Sequence, residues 1–131
     1  MYAHLRIARP TDRLDQMVAF YRDLLGFALI GEFFDHAGFD GVMLGHPDLP
    51  YHFEFTRQHG VAAGGAPSPE HLLVFYLPEE AIWQQAVARL TAAGREPVAP
   101  HNPYWAQQGL TYLDPDGYRI VLQHAAWPPR P

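Results

Sequence analysis

Apolar and polar residues alternate at the start of the chain, and the pattern then changes to a helical period. The run "YAHLRIAR" predicts a strand with His4 and Arg6 on one face. The next run, "PTDRLDQMVAFYRDLLG", has apolar side chains at helical spacing, with Thr11 in the position of an N-cap and Gly26 as the C-terminal stop. Three further runs, "FALIGEFF", "GVMLG" and "YHFEFTR", predict strands separated by Gly, Asp and Pro turns.

The same order of elements returns in the second half of the chain. A Gly/Ala/Pro-rich connection, "HGVAAGGAPSPE", separates the halves, and "HLLVFYLP" then predicts a strand and "EEAIWQQAVARLTAAG" an amphipathic helix. "REPVAP", "GLTYL" and "YRIVLQ" predict three more strands, the last two joined by the turn sequence "DPDG". The pattern predicts an α+β fold: one domain, 1–131, made of two βαβββ modules, 1–60 and 66–124, with a linker at 60–69.

The strand "YHFEFTR" brings a histidine and a carboxylate onto one face. Because successive side chains of a strand point to opposite sides, His52 and Glu54 share one face, and Phe53 and Phe55 share the other. Two interpretations are open at this point. The polar face is the solvated side of a half-buried strand, or it supplies ligands to a metal or a substrate.

Composition narrows the function classes. The chain has 131 residues, 48% of them hydrophobic, which suits a globular domain with a core. Acidic residues outnumber basic ones 14 to 9 and no basic run occurs, so we expect no nucleic-acid partner. The absence of cysteine excludes disulfides, thiolate metal sites and cysteine nucleophiles. The sequence has no long apolar stretch, so we expect neither a signal peptide nor a membrane anchor. We expect a cytoplasmic protein.

Several blocks of the sequence are similar to a known family. The blocks "HLRIARP", "MVAFYRDLLGF", "HFEFT", "HLLVFYLP" and "DPDGYRIVLQ" resemble the vicinal oxygen chelate superfamily of glyoxalases, bleomycin-resistance proteins and extradiol dioxygenases. The runs "RIARPT", "DGVM", "LLVFY" and "NPYW" resemble a bacterial subgroup of the YycE type. The resemblance implies that each module curls its sheet into half of a U-shaped cup, and that the protein forms a homodimer.

The resemblance also implies a divalent metal (Zn, Ni, Mn or Fe) at the base of the cup. The family's ligand positions correspond to His4, Glu54, His71 and Val121, and the interval from His4 to Glu54 equals that from His71 to Val121. Because valine cannot bind a metal or carry a proton, the implied metal set is His4, Glu54 and His71. The missing carboxylate argues against glyoxalase I activity.

Further side chains are candidates for binding a small-molecule substrate. Arg6 and Arg119 fall on the same strand faces as His4 and Val121, where forked guanidinium donors suit a carboxylate or phosphate. Alternatively, they pair with internal acids such as Glu54 or reach to the rim. The full substrate-binding set is Arg6, His52, Tyr104, Trp105, Arg119 and Gln123.

Tyr104 and Trp105 stand in a proline-marked loop, "HNPYWAQQG". Large amphipathic rings on a loop are suited to covering a ligand, and they are equally suited to sealing a dimer interface or the end of the cup.

Two functions are compatible with these residues. The first is a metal-dependent enzyme, of lyase, isomerase or dioxygenase type, that chelates vicinal oxygens of an organic substrate. The second is a metal-free protein that binds or sequesters a ligand, as bleomycin-resistance proteins do. Val121 favours the second function, and the set His4, Glu54 and His71 favours the first, which is the function we expect from the sequence.

Overall fold

The chain divides into two compact units. The computed structural model describes residues 1–130, and its units are Met1–Gly65 and Ala66–Pro131. The division falls within the stretch 60–69 that the sequence pattern assigns to a connection. Whether the two units form one domain stays a prediction.

The first unit is a four-stranded sheet with one helix. In chain order the elements are β1 (Leu5–Pro10), α1 (Leu14–Val18) running into a π-helical segment (Ala19–Leu24), β2 (Ala28–His36), β3 (Phe39–Gly45) and β4 (Tyr51–Gln58). Strand β1 pairs in parallel with β4, and the antiparallel pairs β4–β3 and β3–β2 complete the order β1-β4-β3-β2.

The core of this unit lies between the helix and one face of the sheet. Phe53 and Phe55 of β4 are fully buried, and their rings pack against Tyr21 at 5.2 and 4.9 Å. Met17 of α1 is buried in the same core. Burying one face of β4 leaves the alternate side chains, His52 and Glu54 among them, on the other face.

The second unit is a three-stranded sheet of order β5-β7-β6, in which β5 runs parallel to β7 and β6 antiparallel to it. The Trp83 indole N–H of its long helix donates to the carbonyl of Leu122 at 3.0 Å, which ties the helix to the central strand. In chain order the elements are β5 (Leu72–Tyr76), α2 (Glu80–Ala92), a 3-10 turn (Pro103–Ala106), β6 (Gly109–Leu113) and β7 (Arg119–Gln123).

The turn before β7 is built as its sequence predicts. In "DPDG" the Asp114 carboxylate accepts the backbone N–H groups of Asp116 and Tyr118, each at 2.9 Å. Gly117 has φ +88°, a conformation that side chains with a Cβ rarely adopt. The turn thereby sets the register of β7 against β6.

Two local predictions were wrong. The helix begins at Leu14 rather than directly after Thr11, whose hydroxyl accepts the N–H of Arg13 in the preceding turn. "REPVAP" forms no strand: only Val98 makes an isolated bridge, to Thr111. The physical reason is that the flanking residues Pro97 and Pro100 have no N–H with which to extend the ladder.

The protein has the α+β fold class that the sequence predicts, with helices packed on two small mixed sheets. Between residues 1 and 130, no helix is long and apolar enough to cross a membrane. Strands β1 and β2 form the edges of the first sheet. The homodimer expected from the family resemblance stays a prediction.

Candidate functional site

Four of the candidate side chains meet on the exposed face of the first sheet. We call this group, His4, Arg6, His52 and Glu54, the Arg6 cluster. Arg6 Nε donates to His52 Nε2 at 2.9 Å, and Arg6 Nη1 donates to Glu54 Oε2 at 3.1 Å. His52 Nδ1 and His4 Nε2 are 2.6 Å apart, and the two rings lie 4.8 Å apart at their centroids. One guanidinium thus holds a histidine and a carboxylate together.

Strand register explains why these residues meet. Strand β1 is parallel to β4 with Arg6 opposite His52 and Ala8 opposite Glu54, so Arg6 reaches both polar side chains of β4. On the other side of β4, Gly45 stands opposite His52. A Cβ at Gly45 would lie only 2.7 Å from that of His52, so the glycine leaves room for the imidazole.

The pure-donor character of arginine fixes the histidine tautomers. Because Arg6 can only donate, His52 accepts at Nε2 and carries its hydrogen on Nδ1, which donates to His4. His4 in turn carries its hydrogen on Nδ1. Burial lowers the pKa of His52, and the positive charge of Arg6 and the neighbouring His4 lower it further, with Glu54 opposing. The neutral imidazole is therefore the form that this arrangement favours.

The Arg6 cluster does not fit a divalent cation as it is arranged. One Glu54 oxygen is paired with Arg6, and the nitrogen lone pairs of His52 Nε2 and His4 Nε2 are both engaged in hydrogen bonds. The guanidinium would also repel a cation placed beside the carboxylate. Among residues 1–130, no three His, Asp or Glu side chains are grouped so that they could hold a metal ion. The metal set His4, Glu54 and His71, which draws on both units, stays a prediction.

The other basic and imidazole candidates lie in the second unit. His71 immediately precedes β5, and its Nδ1 is 3.1 Å from the hydroxyl of Ser68. Arg119 Nη1 donates to the carbonyl oxygen of Ala99 at 3.1 Å, so part of its donor capacity is used within its own unit. Val121, at the position where the resemblance implies a carboxylate, is completely buried.

The aromatic candidates sit on the 3-10 turn. Asn102 caps this turn by accepting the Tyr104 N–H at 3.0 Å, and the rings of Tyr104 and Trp105 meet edge to face at 5.0 Å. Tyr104 lines a cavity of about 370 Å³ together with Gln123. Trp105 lines a different one, of about 500 Å³, whose wall includes Glu70.

Sequence reasoning missed two aromatic residues beside Gln123. Tyr76 stands opposite Gln123 in the β5–β7 register, and Trp127 lies against Tyr76 with ring centroids 6.1 Å apart. Both line the cavity of about 370 Å³. A signal was present for Tyr76, because it ends a strand predicted to neighbour β7. None was present for Trp127, which stands in an irregular C-terminal tail.

Comparisons with known proteins identify close relatives of the chain. Residues 5–56 match the YycE-like N-terminal domain and residues 70–124 the YycE-like C-terminal domain. YycE of Bacillus subtilis is 44% identical over 123 residues, which cover 94% of this chain and 88% of that protein.

Solved structures agree with this match. The crystal structure of a YycE protein of unknown function from Bacillus subtilis has a TM-score of 0.88 at 43% identity, covering 95% of this chain and 91% of that one. A trypanothione-dependent glyoxalase I from Leishmania major has a TM-score of 0.73 at 19% identity, covering 94% of this chain and 86% of that one. The latter shows the fold alone. The chain belongs to the YycE-like family and has the glyoxalase-like fold of the vicinal oxygen chelate superfamily.

Proposed function

We propose that this protein binds a small organic molecule without a metal, and that Arg6 holds a carboxylate, phosphonate or carbonyl oxygen of that ligand. One observation carries the proposal. The only carboxylate of the Arg6 cluster is already neutralised by a guanidinium, so the charge balance of the cluster does not call for a cation. This is the behaviour expected of the metal-free alternative rather than of a chelating enzyme.

The cluster has hydrogen-bond donors left over for a ligand. A guanidinium has five N–H groups in a fixed fork, and Arg6 commits one from Nε and one from Nη1 to His52 and Glu54. The side chain is 49% exposed, so a ligand can approach it from solvent. With the tautomers derived above, the exposed His4 adds an N–H at Nδ1. A ligand rich in acceptor oxygens matches this set.

The arrangement also prepares Arg6 for binding. Its side chain is held at two points, on a histidine and on a carboxylate that is only 15% exposed. A long arginine side chain normally gives up rotamer freedom when it binds a ligand, and here part of that cost is already met in the free protein. His52 therefore acts as a positioning residue for Arg6.

The test compares anions with metals in a thermal-unfolding assay. Inorganic phosphate and acetate, at constant ionic strength and against chloride, are expected to raise Tm by mass action. Arg6→Ala should remove the response. Arg57→Ala is the matched control, because it deletes an arginine from β4 at a position whose side chain alternates to the opposite face from His52 and Glu54. The Arg57→Ala protein should keep the response.

Metal chlorides test the opposing function, the metal-dependent enzyme. If Mn²⁺, Ni²⁺ or Zn²⁺ raises Tm and Glu54→Gln abolishes that gain, the chelating enzyme is correct and the present proposal is wrong. An anion response that persists in Arg6→Ala would also overturn it, because the anion would then be bound elsewhere.

A further inference from the structure

The second unit contains a cavity that the proposed function does not use. Its volume is about 370 Å³, within the range of small-molecule pockets, and it lies where β5 and β7 end beside the C-terminal tail. Its lining includes Tyr76, Tyr104, Gln123 and Trp127, and no residue of the Arg6 cluster. We call it the Gln123 pocket.

Gln123 is an unusual lining residue because it is polar and almost fully buried. Its exposed fraction is 2%, and no atom between residues 1 and 130 donates a hydrogen bond to its Oε1. Its backbone is fixed: its carbonyl accepts the Leu77 N–H at 2.8 Å, and the N–H of His124 donates to the Gln108 carbonyl at 2.7 Å. Buried polar atoms in native proteins nearly always have a partner, which here must come from outside the protein atoms.

The neighbouring strand makes room for this amide. Gly109 stands opposite Gln123 in the β6–β7 register, and a Cβ at Gly109 would overlap Gln123 Oε1. The same point lies 3.1 Å from the Trp105 carbonyl oxygen and 3.2 Å from that of Leu122. The missing Cβ of Gly109 therefore leaves the space that the Gln123 amide occupies.

Flat aromatic surfaces form the rest of the pocket. Tyr76 and Trp127 are 37% and 70% exposed although they are large and apolar, and their rings are tilted by 43° to each other. Tyr104 is 54% exposed. Rings of this kind contribute most when they stack on another flat apolar body. Arg130, which lies 3.8 Å from the exposed carboxylate of Glu79, adds a cation to the lining.

We propose that the Gln123 pocket binds a small planar aromatic molecule that carries one N–H or O–H donor. The ring of the ligand packs on Tyr76 and Trp127, and its donor bonds to the Gln123 amide oxygen. This proposal does not rest on the proposed function, because the residues of the two sites do not overlap.

Two probes of nearly equal shape test the role of the donor. Indole has one N–H, and 1-methylindole replaces it with a methyl group. Titration of the 15N-labelled protein, followed by NMR of the Gln123 side-chain amide and the Trp127 indole N–H, should show indole binding about 5- to 10-fold more tightly, since a hydrogen bond of ordinary strength is lost with the methyl group. Equal affinities of the two probes for the wild-type protein would contradict the proposal.

Two variants locate the effect. Gln123→Leu should reduce the affinity for indole to that for 1-methylindole and leave the latter unchanged. If Gln123→Leu does not fold, Trp127→Ala in the exposed tail serves instead, and it should weaken both probes by the same factor. Chemical-shift changes confined to residues outside the Gln123 pocket would overturn the assignment. If phosphate still raises the Tm of the wild-type protein when indole binds elsewhere, the Gln123 pocket was wrongly assigned and the Arg6 cluster was not.

Discussion

The solvent-exposed face of β4 in the first unit and the corresponding face of β7 in the second differ in exposure and in charge. On β4, His52 and Glu54 are partly exposed and are bonded to Arg6. On β7, Val121 and Gln123 are 0% and 2% exposed. The first face carries an exposed pair of charges, whereas Val121 and Gln123 of the second face are uncharged and buried.

The two faces also differ in how well their polar atoms are satisfied. Every member of the Arg6 cluster has a hydrogen-bond partner within the cluster. On the second face, both Thr111 Oγ1 and Gln123 Oε1 are buried without a partner among residues 1–130. Thr111 stands directly opposite Val121 in the β6–β7 register. The same order of elements therefore produced one charged patch whose members bond to each other and one face with two buried oxygen atoms that no described residue satisfies.

A carboxylate at position 121, where the resemblance to glyoxalases implies one, should destabilise the second face. Val121→Glu would place a carboxylate in a fully buried position, where the nearest cation along the strand, Arg119, already donates to the Ala99 carbonyl. We expect the free energy of unfolding to fall by roughly 3–5 kcal/mol. Urea denaturation measures the loss. Val121→Gln is the control of similar size without charge, and it should cost less. A Val121→Glu protein as stable as the wild type would mean that a carboxylate at this position reaches water or a cation.

Removing one buried hydroxyl that has no hydrogen-bond partner should stabilise the protein slightly. Thr111→Val keeps the shape of the side chain and deletes a buried hydroxyl that no described residue satisfies. We expect the free energy of unfolding to rise by about 0.5–1 kcal/mol, because the cost of burying an unbonded hydroxyl disappears. Thermal and urea unfolding both report the change. A loss of stability would show that the hydroxyl has a partner, such as a bound water.

The smallest effect concerns the protonation of His52. Its pKa is lowered in the folded protein, so the unfolded chain binds more protons just below the ordinary histidine pKa of about 6.5. Stability should therefore fall as the pH drops from 6.5 toward the folded pKa, and become flat below it. His52→Gln should reduce this slope. Because the site is partly exposed, the expected change is a few tenths of a kcal/mol.

The pH dependence can be assigned to one ring by NMR. The groups that face His52 are Arg6, His4 and Glu54, and the titration of each histidine can be followed separately. A His52 ring that titrates above 6.5 would contradict the hydrogen-bond pattern in which Arg6 donates to neutral Nε2.

Most of the secondary structure follows from local patterns. Alternation predicted β4 and its two faces, because burial of Phe53 and Phe55 requires only that successive side chains point to opposite sides. "DPDG" predicted the turn at Asp114 through the ability of an Asp side chain to accept nearby N–H groups. The strand predicted at "REPVAP" failed, since periodicity was given more weight than the missing N–H groups of its prolines.

The sequence by itself determined which residues share a face: His52 with Glu54, and His4 with Arg6. Only the tertiary structure decided that these two faces belong to neighbouring parallel strands, with Arg6 opposite His52. Pairing between strands about 45 residues apart depends on which surfaces the whole unit can bury, and this information is not local. The Gln123 pocket likewise depends on contacts that are not local in the sequence. The tail brings Trp127 against Tyr76, and Gly109 gives the amide its space, through contacts that no sequence period records.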